Sequence, residues 1–282
     1  MVLLGLLAFL SPGCGGKSPP LRLVSFAQEG RKDVRLNERI VLRFSLPLDR
    51  TSLSDASVRL RGGGGPAAGR WRVWGRELSF SPRLPLRPDC ADTGLRPGVE
   101  YTLLLRGFPS YRALRALSGR RLERTVRLRF RTKGGDGGEA VPGVEQFVDP
   151  VPGTGPELAA VGGVSMAELG AEGVKVAPGS SLRLTFSEPL YPPSLEGGRA
   201  KLYVVNAEGT VDPDLDVLPL EARLVRVPPE GCVVAVKPRG GFRAGKRYKL
   251  CLEDLGFTDF GGRPLERTRS YLDISCTAPP SS

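Results

Sequence analysis

The side chains able to do chemistry in this chain are arginines, a few clustered carboxylates and five cysteines; it contains no histidine. That absence removes the usual general base, the neutral imidazole metal ligand and the one side chain that ordinarily titrates near neutrality. Ser-His and Cys-His nucleophiles are excluded. No two cysteines have the spacing of a zinc site. Asp254 and Asp259 share a loop with Glu253 and form a weak calcium candidate, since calcium takes about six to eight oxygens and two or three side chains fall short of that. The competing expectation is a turn in which Asp259 bonds its own backbone. Neither a metal nor a cofactor is expected.

The charge is uneven. Residues 17–133 hold 26 lysines and arginines against 10 acids, whereas residues 134–282 hold 15 against 20, within a total of +11. Alternation on the strand Val126–Arg131 turns Val126, Leu128 and Phe130 inward and leaves Arg127, Arg129 and Arg131 outward. Arg43 is outward by the same logic, as are Arg59, Arg61, Arg70 and Arg72. An arginine-rich face suits phosphate and carboxylate, so Arg43, Arg127, Arg129 and Arg131 are read as a candidate anion-binding face. Without interleaved aromatic residues, no specific nucleic-acid readout is expected. A solvated sheet face that discourages edge-to-edge association accounts for the same pattern.

Cys90, Cys232, Cys251 and Cys276 lie well past the N-terminus, and in an oxidising compartment three full pairings are open. Cys232–Cys251 is the pair to expect, on consecutive strands joined by a short connection. Closing such a loop would stabilise the chain by roughly 3 kcal/mol. Facing runs against it: Cys232 looks inward with Val234 and Val236, whereas inward Leu250 and Leu252 leave Cys251 outward.

The elements that must position these groups occur twice. Leu36–Leu48, containing Ile-Val-Leu-Arg-Phe-Ser-Leu-Pro-Leu, returns as Ala177–Leu190, containing Leu-Arg-Leu-Thr-Phe-Ser-Glu-Pro-Leu. Leu95-Arg96-Pro97-Gly98-Val99-Glu100-Tyr101 returns as Phe242-Arg243-Ala244-Gly245-Lys246-Arg247-Tyr248, and Gly119–Thr125 returns as Gly262–Thr268. Three matches in one order mean two copies of one domain. Apolar runs of five or six residues, separated by turns drawn from 37 glycines and 26 prolines, predict about seven strands per copy and an antiparallel sandwich.

In the first copy the strands fall near 21–26, 40–44, 56–61, 71–81 as a hairpin, 101–105 and 126–131, with a helical turn within 109–117 and an insertion at 84–94. In the second they fall near 182–186, 200–205, 222–227, 232–236, 248–252 and 271–276, with a short helix at 166–171. Residues 134–159 read as a Gly/Pro-rich linker. Within it, Val144–Val148 is either an opening strand or a leader held between the domains.

The pattern Leu-x-Leu-x-Phe-Ser-x-Pro-Leu, then Pro-Gly-x-x-Tyr-x-Leu-x-Leu, then Gly-x-x-Leu before a last strand resembles the bacterial Ig-like domains of the S-layer-protein type. The resemblance covers residues 21–132 and 160–277. It implies spacer, stalk or adhesion roles rather than catalysis. Phe44 and Phe186 would plug the core, Pro47 and Pro189 end a strand, and Tyr101 and Tyr248 form tyrosine corners.

The N-terminus adds a compartment. Met1–Leu10 is an apolar run too short to span a bilayer, followed by Ser11-Pro12-Gly13-Cys14. This is similar to the signal peptide and lipobox of bacterial lipoproteins, although Ser11 stands where the leucine usually does. The resemblance implies a signal at 1–13, acylation of Cys14 and a tether over 14–20. Gly15, where aspartate would hold a lipoprotein at the inner membrane, implies the outer membrane.

The expectation is therefore an all-β chain of two tandem Ig-like sandwiches, a basic one over 21–133 and a mildly acidic one over 160–277. It would be a non-catalytic lipoprotein of the cell envelope or surface, anchored in the membrane by its lipid and working as a structural, spacer or adhesion module. Two alternatives are a binder of anionic polymers such as surface polysaccharide, through the arginine face of the first domain, and an accessory subunit that joins another envelope protein.

Overall fold

The computed structural model describes residues 19–134, 141–170, 173–196, 201–206, 208–211, 217–227, 232–266 and 270–277, and the backbone alone of Asp254. Cys14 and most of the tether lie outside these residues. The described chain is all-β, with helical turns of three or four residues only.

The first domain contains β1 (Leu23–Phe26), β2 (Ile40–Phe44), β3 (Val58–Gly62), β4 (Gly65–Pro66), β5 (Gly69–Trp74), β6 (Glu77–Pro82), β7 (Glu100–Leu105) and β8 (Val126–Arg131). They form two antiparallel sheets, ordered β1-β2-β6-β5 and β4-β3-β7-β8. Ile40, Leu42, Phe44, Leu78, Phe80, Leu103, Leu128 and Phe130 fill the space between them, as strict alternation on half-buried strands requires.

The second domain contains β9 (Leu158–Val161), β10 (Val164–Ser165), β11 (Val174–Val176), β12 (Leu182–Phe186), β13 (Lys201–Val205), β14 (Val217–Arg226), β15 (Cys232–Pro238), β16 (Arg247–Cys251) and β17 (Tyr271–Cys276). The order β9-β12-β15-β14 repeats β1-β2-β6-β5, and β13-β16-β17 repeats β3-β7-β8. In the second copy β14 belongs to both layers. Val217–Pro219 pairs with β13 and Leu220–Arg226 with β15. The first copy breaks that strand at Ala67-Ala68, so β4 joins one sheet and β5 the other. A strand that changes sheets closes one side of a sandwich.

The duplication extends to single bonds. The hydroxyl of Ser45 accepts from the Arg22 amide and that of Ser187 from the Glu157 amide, both at 2.9 Å. The serine of the repeated motif thus ties the end of β2 or β12 to the start of the domain. The Tyr101 hydroxyl accepts from the Arg96 amide at 2.8 Å, and the Tyr248 hydroxyl from the Arg243 amide at 2.9 Å. These are the two tyrosine corners, with both rings buried. Each fixes the turn that feeds the central strand of its sheet.

Several local expectations change. Residues 109–117 and the described part of 166–171 form turns and bridges, not helix. β9, β10 and β11 are too short for a periodicity to show. β14 starts at Val217, five residues before the expected strand. Val144–Gln146 is a 3₁₀ turn, so of the two readings of this segment the leader between the domains is the one the structure shows.

Tyr101→Phe and Tyr248→Phe each leave a half-buried backbone amide without its acceptor. Each is expected to destabilise its domain by about 1–3 kcal/mol in urea unfolding, with strand content unchanged by circular dichroism.

Candidate functional site: the domain junction and the arginine faces

A cluster of four charged groups, two of them buried, lies where the domains meet. Asp259 follows β16 and is fully buried. Its Oδ1 accepts from the amides of Gly261 at 2.9 Å and Arg263 at 2.8 Å, and its Oδ2 accepts from Arg263 Nε at 2.7 Å. Arg263 Nη2 also donates to Asp149 Oδ2 and to the Val151 carbonyl, each at 2.7 Å. Glu188, the variable residue of the Phe-Ser-x-Pro-Leu motif, is buried with Oε2 at 3.6 Å from the same Nη2. One guanidinium thus gathers a carboxylate from the connection and two carboxyl groups from the second domain.

Asp149, Glu188 and Asp259 each offer an oxygen within 4.8 Å of the others, a spacing that suits a metal ion. The guanidinium lies among those oxygens, and both Asp259 oxygens are already engaged. The calcium expectation for Asp254 and Asp259 therefore meets a different arrangement. Asp259 does bond its own backbone, but facing inward with Arg263 as its cation. Of Asp254 the structure gives the backbone, in the 3₁₀ turn Glu253–Leu255.

Electrostatics follow from the crowding. Burial pushes the Glu188 carboxyl above the usual glutamate range; Arg263 opposes this, and Asp259 and Asp149 add to it. The hydrogen bond to Asp259 holds the Arg263 guanidinium above its ordinary value.

Apolar contacts complete the junction. Phe147, on the connection, is 1% exposed and belongs to the first domain's core. It meets Phe260 at 5.0 Å and Tyr191 at 6.0 Å between ring centroids. The Tyr191 hydroxyl donates to the Pro142 carbonyl. On the other side, Leu36 N donates to the Gln146 carbonyl at 2.8 Å, and the Asn37 amide group exchanges two hydrogen bonds with the Val148 backbone. Leu86, from the first domain's insertion, packs against the second core. Residues 141–149, read from composition as linker, are therefore docked on both domains.

The candidate anion face divides in two. Arg127, Arg129 and Arg131 are exposed on the outer face of the β4-β3-β7-β8 sheet, whereas Arg43 is exposed on the outer face of the other sheet. The structure does not bring Arg43 to the other three. It brings Arg59 and Arg61 instead. Arg59, Leu104 and Arg127 form one cross-strand row, and Arg61, Thr102 and Arg129 the next. Arg43 faces Glu77, which also pairs with Arg39.

No disulfide joins Cys90, Cys232, Cys251 and Cys276, and all are buried. The expected Cys232–Cys251 bond is absent because β15 and β16 are separated by β14 and β13 in strand order, farther than the roughly 4.4–6.8 Å between Cα atoms that a disulfide spans. Burial pushes the Cys90 and Cys232 thiols up to about 12, which keeps them unreactive at neutral pH.

No helix among the described residues is long and apolar enough to cross a membrane. No protein-family model and no curated protein matches the chain. Among solved structures it is similar to native alpha-2-macroglobulin from Escherichia coli spanning domains MG0-NIE-MG1, at 15% identity and a TM-score of 0.39, over 93% of this chain and 72% of that one. It is also similar to the N-terminal part of the bacterial S-layer protein SbsC, at 12% identity and a TM-score of 0.29, over 91% of this chain and 44% of that one. Domains 1–6 of SbsC align at 11% identity and a TM-score of 0.31, over 92% of this chain and 26% of that one. The fold assignment rests on this chain's own strand order and register.

Arg263→Ala is expected to lower the thermal midpoint and to open the Asp149–Val151 segment to proteolysis. Arg120→Ala, at the matching position of the first domain, is expected to do neither. Glu188 titrates higher folded than unfolded. Its contribution to stability is therefore complete below the ordinary glutamate range and is lost as pH rises through the raised value. Glu188→Gln should flatten that decline, read as midpoint against pH.

Proposed function

We propose that this chain is a non-catalytic structural module of the bacterial cell surface, attached by an acylated Cys14 and presenting two docked sandwiches as a spacer or adhesion unit. The observation that carries the reading is the use made of Arg263. This polar constellation, with Asp149, Glu188 and Asp259, is committed to tying the connection between the domains to the second domain. It offers no open nucleophile–base pair of the kind catalysis needs. A spacer needs fixed geometry between its domains, and the junction supplies it.

Mass spectrometry of the membrane-extracted protein tests the attachment. The reading expects a mature N-terminus at an acylated Cys14, recovered with the outer membrane. A soluble chain with an unmodified Cys14 would overturn it.

A second reading, binding of an anionic polymer, is favoured by the rows that flank β7. Among the described residues, Arg61 and Arg127 have no carboxylate partner. Guanidinium groups in register along a strand suit a repeating anion. On this reading Arg61→Glu and Arg127→Glu elute from immobilised heparin at lower salt than the parent chain, and Arg43→Glu, on the opposite face, elutes with it.

A further inference from the structure

Each sandwich has two ends, and the duplication allows like ends to be compared. In the second domain, the end formed by Leu190, Tyr191 and the loop before Arg263 is covered by the junction. The same end of the first domain, formed by Leu48, the β5–β6 turn and residues 106–122, carries no cover among the described residues. The bridges Leu190↔Asp259 and Thr258↔Pro264 match Leu48↔Ala116 and Arg115↔Arg121, and Gly262 and Gly119 share a φ of +78°. This correspondence sets Leu117 in the place of Phe260. Phe260 is 1% exposed against Phe147, but Leu117 is 72% exposed.

Leu117 is not alone. Trp74 is 81% exposed at the β5–β6 turn, and Phe108 and Tyr111, in the same loop as Leu117, are 62% and 77% exposed. Backbone bonds draw these segments to one end: Leu48 N donates to the Gly75 carbonyl, Leu117 N to that of Pro47, and Glu123 N to that of Leu21. The same turn and loop carry the exposed arginines Arg76, Arg112, Arg120 and Arg121, with Arg112 lying 5.1 Å over the Tyr111 ring. Clustered exposed apolar side chains mark a surface that meets something. Tryptophan, tyrosine and arginine together suit the headgroup layer of a bilayer.

Chain connectivity selects the occupant. Leu21 begins the fold at this end, and Cys14 precedes it by seven residues, a reach of at most about 25 Å. We propose that this end of the first domain lies on the membrane itself. Trp74, Phe108, Tyr111 and Leu117 enter the headgroup region, and the arginines of the same turn and loop meet anionic lipid phosphates. The proposal builds on the lipid-anchor reading, but its test dispenses with the lipid.

The chain from residue 14 onward, carrying Cys14→Ser, is mixed with vesicles of phosphatidylethanolamine with and without phosphatidylglycerol. Trp71→Phe leaves Trp74 as the sole indole. The expected result is co-sedimentation with the anionic vesicles, a blue shift of Trp74 emission, and release at high salt. Leu117→Asp should weaken partitioning by about tenfold, the loss of one apolar anchor, while Val225→Asp, an exposed site on the second domain, leaves it unchanged. Should Trp71→Phe unfold the chain, co-sedimentation of Leu117→Asp alone decides. The proposal is overturned if the anionic vesicles leave the chain in solution, if Leu117→Asp binds like the parent, or if the patch instead pairs two copies in ultracentrifugation without vesicle affinity. An unacylated Cys14 in the native protein would remove the anchor reading and leave this result standing.

Discussion

The docking of Phe147 between two sandwiches is the contact on which the rest of this architecture depends. A sandwich buries its sheet faces by construction but leaves its ends open, and an open end exposes core to water. Phe147 fills the far end of the first domain's core and meets the rings of Phe260 and Tyr191, tilted and edge-on, at the near end of the second. Arg263 lies beside this contact and ties Asp149 of the connection to Asp259. Apolar closure gives the junction its affinity for itself. The charged groups, each with a limited set of geometries, fix its orientation.

The two copies differ where they meet different neighbours. Glu188 replaces Leu46, Asp259 replaces Ala116 and Phe260 replaces Leu117 at matching positions. The second copy has a polar and aromatic end suited to another domain. The first has an apolar and arginine-rich end facing away from it. One blueprint thus supplies both an internal joint and an exposed end, distinguished by a few differences within a frame of serine ties and tyrosine corners that the two copies share.

Much of this was legible in the sequence because it is local. Alternation in Ile40–Phe44 and Leu182–Phe186 gave the inward faces, and the spacing from glycine to Tyr101 and Tyr248 gave the corners. What stayed hidden depends on which strands become neighbours. Alternation says that Arg43 points outward but not from which sheet, so the sequence alone does not separate it from Arg127, Arg129 and Arg131, which lie across the thickness of the domain. Cys232 and Cys251 are close in sequence, but two strands come between them. The junction escaped for a further reason. Phe147 and Asp149 have no repeat partner and lie in a Pro/Gly-rich stretch, and Asp259 looks like a loop carboxylate until Arg263 folds back over it. Leu117 and Trp74 read as ordinary apolar residues in sequence, and only the fold shows them exposed at one end.

Backbone ¹⁵N relaxation tests the central claim most directly, because it reports whether two domains tumble as one body. If Phe147 and Arg263 lock the sandwiches together, amides of β2 and β12 share one long rotational correlation time, and Phe147→Ala splits it into two shorter ones. Two separate short times in the unmodified chain would contradict the account.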